Sequence, residues 1–74
     1  MMPQLEEIHK GINHGLTKDE FSVYADSKFT AEQMEQLRIG FELGLSVNQV
    51  QSYANPYYAP YIMAVARYKI IHKL

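Results

Sequence analysis

The chain has no cysteine and no tryptophan, and only three prolines and four glycines among its 74 residues. Without cysteine it can build neither a disulfide framework nor a thiolate metal site, so a reducing cytoplasm is the expected compartment. It has no apolar run long enough to span a bilayer, and its opening residues lack the basic-then-apolar order of a secretion signal. Its length implies one small domain, close to the size at which a single core is barely sufficient and with no room for a large enzyme pocket. Charge is balanced in total but lopsided along the chain. All eight acids lie at or before Glu42, whereas Arg67, Lys69 and Lys73 stand alone in the final stretch.

The sequence repeats itself. Residues 4–29 are echoed by residues 33–58 without a gap: Gln4, Glu6, Gly11, Gly15, Leu16, Tyr24 and Ala25 recur as Gln33, Glu35, Gly40, Gly44, Leu45, Tyr53 and Ala54. Ile8 with Leu37, Ile12 with Phe41, Asp26 with Asn55 and Phe29 with Tyr58 are conservative echoes at the same offset. A third, partial copy starts near Tyr61 and runs out at Leu74. The expected organisation is one all-α repeat domain over 1–74, with units of about 29 residues at roughly 2–30, 31–59 and a partial 60–74.

Each unit reads as a long helix, a corner, a short helix and a second corner. Ser or Thr followed three residues later by Glu or Gln is the capping box, in which the two side chains satisfy orphaned N–H groups at a helix start. It occurs as Thr17 with Glu20, Thr30 with Gln33, and Ser46 with Gln49. A hydrophobic pair brackets each box as a staple: Leu16 with Phe21, Phe29 with Met34, and Leu45 with Val50. Gly15 and Gly44 supply left-handed ends for the long helices, and Asn55–Pro56, answering Asp26–Ser27, is expected to stop the second short helix. The expected helices are 3–14, 17–25, 30–43, 46–54 and 59–74. Leu5, Ile8 and Ile12, then Met34, Leu37 and Phe41, then Met63, Ala66 and Ile70 recur at three-and-four spacing as the inward stripes of the long helices. Tyr24 and Tyr53, each followed by Ala, are expected to pack at the repeat junctions rather than to offer a stacking platform for a ligand.

Tyr24-Ala25-Asp26 with Phe29, then Gln33-Met34, Arg38, Gly40, Gly44 and Leu45, resemble a short tandem helical repeat of Gram-positive gut bacteria and their mobile elements. In that repeat the phrase runs Tyr-Ala-Asp-Pro, an aromatic, Gln-Met, Ile-Arg, Gly-Leu, Gly-Leu. The resemblance covers nearly the whole chain and implies a helical fold and a mobile-element context. It carries no assigned activity and no site residues, because its signature positions are caps and core. Ser27 stands where the pattern has Pro, and Lys69 where it has a third Gly; the latter implies that no repeat packs after the last helix.

The last helix holds the functional expectation. At the offset of 29, Glu32 becomes Tyr61, Gln36 becomes Val65, Ile39 becomes Tyr68 and Glu42 becomes Ile71. Tyr61, Val65 and Tyr68 form a second apolar stripe at i, i+4 and i+7. Either this helix lies centrally and is buried on both sides, or the stripe is an exposed contact surface of a kind in which Tyr, Met and Arg are enriched. The expected role is a non-enzymatic protein–protein interaction module, self-associating or docked on another protein. Its partner-binding residues would be Tyr57, Tyr58, Tyr61, Val65, Arg67, Tyr68 and Ile71.

The alternative is a small DNA-binding or regulatory protein of a phage or mobile element, such as an inhibitor of a host defence system. Arg67, Lys69, His72 and Lys73 interleave with tyrosines, as a phosphate-tracking, base-stacking surface requires. In a helix-turn-helix arrangement the recognition helix would be Thr17–Ala25 or Ser46–Ala54. The first carries acids that phosphates repel, and the second has no Lys or Arg, leaving Asn48, Gln49 and Gln51 to read base edges. Catalysis has little support: no cofactor motif, phosphate loop, activated nucleophile or metal set is present. His9, His14 and His72 are not spaced as ligands and read as surface residues. Glu6 with Glu7, and Glu32 with Glu35, read as solvated first-turn acids. Gly11 with Gly15 and Gly40 with Gly44 match a membrane small-residue motif, which polar neighbours such as Asn13, His14 and Glu42 exclude.

Overall fold

The computed structural model describes residues 3–73, and the fold is all-α. The helices are α1 (Pro3–Asn13), α2 (Lys18–Tyr24), α3 (Ala31–Glu42), α4 (Val47–Gln51) and α5 (Pro60–His72). Met2 and Leu74, at the ends of the expected first and last repeat units, lie outside the described residues. Helix α3 packs between α1 and α5, while α2 and α4 pack on each other and on α3. Among the described residues no helix is long and apolar enough to cross a membrane.

Local chemistry sets the element ends. All three capping boxes form: Thr17, Thr30 and Ser46 accept from the backbone N–H of Glu20, Gln33 and Gln49 at 3.1–3.2 Å, and those side chains accept in return from the cap N–H. Each such cap contributes about 1 kcal/mol. Gly15 and Gly44 take φ of +76° and +93°. That left-handed turn sends the N–H of Leu16 and Leu45 back to the carbonyls of Gly11 and Gly40, closing both long helices in the same way. Asp26 and Asn55 each accept through Oδ1 from the backbone N–H two residues on, 3.0 Å to Lys28 and 2.9 Å to Tyr57. These Asx turns make the second corners. The short helix α4 stops earlier than expected, at Gln51, because Tyr53 and Ala54 tighten into i→i+3 hydrogen bonds before Pro56 is reached. Helix α5 starts without a side-chain cap, since Ala59 and Ile62 stand where α3 has Thr30 and Gln33.

The core is built from Tyr24, Phe29, Met34, Leu37, Phe41, Leu45, Val50, Tyr53 and Met63, with Ala66 and Ile70 packed against it. The two tyrosines lock short helices onto long ones. The Tyr24 hydroxyl donates into the carbonyls of Glu7 and Ile8, each at 3.0 Å, and Tyr53 donates to the Gln36 carbonyl at 3.1 Å. Both hydroxyls lie over a glycine: a Cβ on Gly11 would fall inside the Tyr24 hydroxyl, and one on Gly40 inside that of Tyr53. The glycine spacing therefore serves close packing by tyrosine, not helix association in lipid.

The expected inward stripe of α1 is corrected. Leu5 and Ile12 are 44% and 58% exposed and Ile8 is half-buried, whereas Glu7 and Gly11 face the core. The equivalent stripe of α3, Met34, Leu37 and Phe41, is buried in the core, whereas on α1 the same pattern points outward.

Gly11→Ala adds helix propensity but displaces the Tyr24 ring. It should destabilise the domain by about 2 kcal/mol in urea denaturation, and combining it with Tyr24→Phe should cost less than the two single losses together. Burial pushes the Tyr53 hydroxyl up to about 12 and also raises that of Tyr24. The unfolded chain releases these protons near pH ~10, earlier than the folded one. The contribution of these two hydroxyls should be level below that point and fall as pH rises toward about 12, and Tyr53→Phe should flatten the fall in a pH series of thermal melts.

Candidate functional site

The site begins with a difference between the two junctions at which long helices meet. At the α1–α3 junction, Arg38 donates through Nε to Glu7 Oε1 at 3.0 Å and through Nη1 to Glu42 Oε2 at 2.6 Å. Lys10 reaches the second Glu7 oxygen at 2.9 Å, and His14 Nδ1 stands 3.7 Å from Glu42. Burial pulls the Arg38 guanidinium down, but the carboxylates of Glu42 and Glu7 outweigh it and hold the group above its usual range. Glu7 is therefore not the solvated acid expected from the sequence. The turn of α1 that places Gly11 under Tyr24 also places Glu7 against α3, where it is buried and ion-paired. Glu6 and Glu32 are exposed, as expected, and Glu35 is half-buried.

At the α3–α5 junction the same five positions are mostly apolar or neutral. Arg67 takes the place of Arg38, but Gln36 replaces Glu7, Ile71 replaces Glu42, Leu43 replaces His14 and Ile39 replaces Lys10. Arg67 donates to the backbone carbonyl and the side-chain Oε1 of Gln36. Among the described residues no carboxylate pairs with it. Beside Ile71 and Leu43, the counterparts of Glu42 and His14, lies an open groove of about 570 Å³, walled also by Ala64, Val65, Arg67, Tyr68 and His72. Tyr68 and His72 lie one turn apart with ring centroids separated by 4.1 Å, forming one rim.

The structure brings four of the seven sequence-derived contact residues, Val65, Arg67, Tyr68 and Ile71, to this groove. Tyr61 shares the outer face of α5 but not the groove, and Tyr57 and Tyr58 lie in the turn before the helix, with Tyr57 93% exposed. The central-helix reading of the stripe is overturned: Val65 is 49% and Tyr68 55% exposed, because α3 and not α5 occupies the middle of the stack. Arg67 is half-buried and turned toward Gln36, so it ties α5 to α3 as well as walling the groove. Leu43 escaped the sequence reading. Its signal is the polar residue His14 at the equivalent position, a contrast visible only once α3 and α5 are known to meet there.

The cationic surface is small once Arg67 is engaged with Gln36. Exposed Lys69, His72 and Lys73 remain, spread around the outer side of α5. The short helix α4 exposes Asn48, Gln49 and Gln51, but Gln49 spends its side-chain oxygen on the Ser46 N–H. His9 and His14 are exposed. No protein-family model, curated protein or solved structure matches this chain.

The contrast between the junctions is measurable. Arg38→Met leaves the buried Glu7 carboxylate to Lys10 and frees Glu42, and should cost about 2 kcal/mol in urea denaturation. Arg67→Met loses bonds to neutral acceptors only and should cost about 1 kcal/mol.

Proposed function

We propose that this domain is a non-enzymatic, cytoplasmic protein-binding module that uses the outer face of α5 and the groove between α5 and the end of α3. The observation that carries this reading is the replacement of an ion-paired junction by an apolar one. Positions that are Glu7, His14 and Glu42 at the first junction are Gln36, Leu43 and Ile71 at the second, and Leu43, Val65 and Tyr68 are left about half exposed. A connected apolar surface of this kind is costly to leave in water and marks an interaction site. Tyrosines at its rim supply large contact area with a polar tip. An apolar side chain of the partner would enter the groove, and the Arg67 guanidinium in its wall would favour a neighbouring carboxylate.

Ile71→Glu tests the reading without threatening the fold, because Glu42 already occupies the equivalent position beside Arg38. Its stability should stay within about 0.5 kcal/mol of the parent. Proteins retained by the tagged parent from nuclease-treated host lysate should be lost by Ile71→Glu. Equal retention by both would sink the groove, and retention that vanishes with nuclease would point to nucleic acid as the ligand instead.

A further inference from the structure

We infer that the occupant of the α5 outer face is a second copy of this chain, added head to tail, with α1 of one copy seated on α5 of the next. The inference rests on the reading of α5 as an interaction surface and supplies its partner. Within the chain, Arg38, one turn from both Met34 and Phe41 on α3, joins α3 to Glu7 of α1, and Arg67, one turn from both Met63 and Ile70 on α5, joins α5 to Gln36 of α3. Residues at the equivalent register on α1 are Leu5, Ile8 and Ile12, of which Leu5 and Ile12 are exposed and Ile8 is half-buried. At the other end, the positions by which α3 receives α5, including Gln36 and Ile39, become Val65 and Tyr68, flanked by Tyr61. The described residues thus leave two apolar surfaces uncovered, one on α1 and one on α5; solenoids that remain single cover such faces with polar residues.

Charge agrees with the same pairing. Residues 1–42 carry eight acids against four Lys or Arg, a formal −4, and residues 43–74 carry three Lys or Arg and no acid, a formal +3. Head-to-tail addition sets the positive half of one copy against the negative half of the next, whereas a two-fold dimer through α5 alone would oppose like charges. Lys69 fits this mode. Gly40 is small because Tyr53, just past the end of α4, lies on it, whereas at the equivalent position of α5 Lys69 is exposed.

A heterologous interface has a signature that a two-fold one lacks. In sedimentation equilibrium at low salt, the mean mass of the parent should rise with concentration past that of a dimer, and added NaCl should reduce it. Ile12→Glu breaks the head and Val65→Glu the tail; both sites are exposed and Glu7 already occupies the position equivalent to Val65. Each variant alone should remain monomeric with parental circular dichroism. Their equimolar mixture should regain association but stop at a heterodimer, because only one intact head and one intact tail remain. A parent that stays monomeric at all concentrations, variants that assemble like the parent, or a mixture that stays monomeric would each overturn self-assembly. If the parent is monomeric and Ile71→Glu still loses a lysate protein, the binding-module reading stands with a different partner.

Discussion

The fold depends on a hydroxyl held against a glycine. Tyr24 on Gly11 and Tyr53 on Gly40 fix the distance and rotation between each short helix and its long helix, because the phenol reaches backbone carbonyls only where no Cβ intervenes. A buried phenol without an acceptor would lose the hydrogen bond it has in water. A residue larger than glycine would push the ring out of the core. The two requirements leave little choice of helix rotation, and that rotation decides which other residues of α1 and α3 face inward.

Glu7 is the first consequence. On α1 it lies one turn before Gly11, so docking Tyr24 also turns a carboxylate into the α1–α3 junction, where it survives burial only because Arg38 and Lys10 reach it. On α3 the equivalent position is Gln36, which accepts from Arg67 as a neutral group. One geometry therefore accommodates either an ion pair or an amide. Whatever closes the solvent side of the junction is free to vary, and at the second junction it has varied toward leucine, isoleucine and tyrosine.

Much of this was legible in the chain because it depends on short-range chemistry. The capping boxes at Thr17, Thr30 and Ser46, the glycines at 15 and 44 and the five helices follow from neighbours within a few residues. Aromatic packing of Tyr24 and Tyr53 followed from their recurrence. The misreadings concern which side of a helix meets another helix. Leu5 and Ile12 have the same local spacing as Met34 and Phe41, and only the position of α1 at the edge of the stack makes them exposed. Glu7 resembles any first-turn acid until its partner Arg38, 31 residues away, is placed beside it. The groove was half legible: the apolar substitutions at Val65, Tyr68 and Ile71 stood out against the repeat, but Leu43 belongs to a different helix and becomes part of the site only through packing.

The same reasoning relates the exposed ends of the stack to each other. Among the described residues, the side of α1 that bears Leu5 and Ile12 and the side of α5 that bears Val65 and Tyr68 are left exposed. A polar substitution at either end would close the stack, as Glu42 and His14 close the solvent side of the first junction. Instead Leu5 and Ile12 are apolar on α1, while on α5 Val65 stands where α3 has Gln36, and Tyr68 keeps a large side chain where α3 has Ile39. Where such a face is covered inside the chain, on α3, it is covered by α5, whose Met63, Ala66 and Ile70 recur at three-and-four spacing and pack into the core.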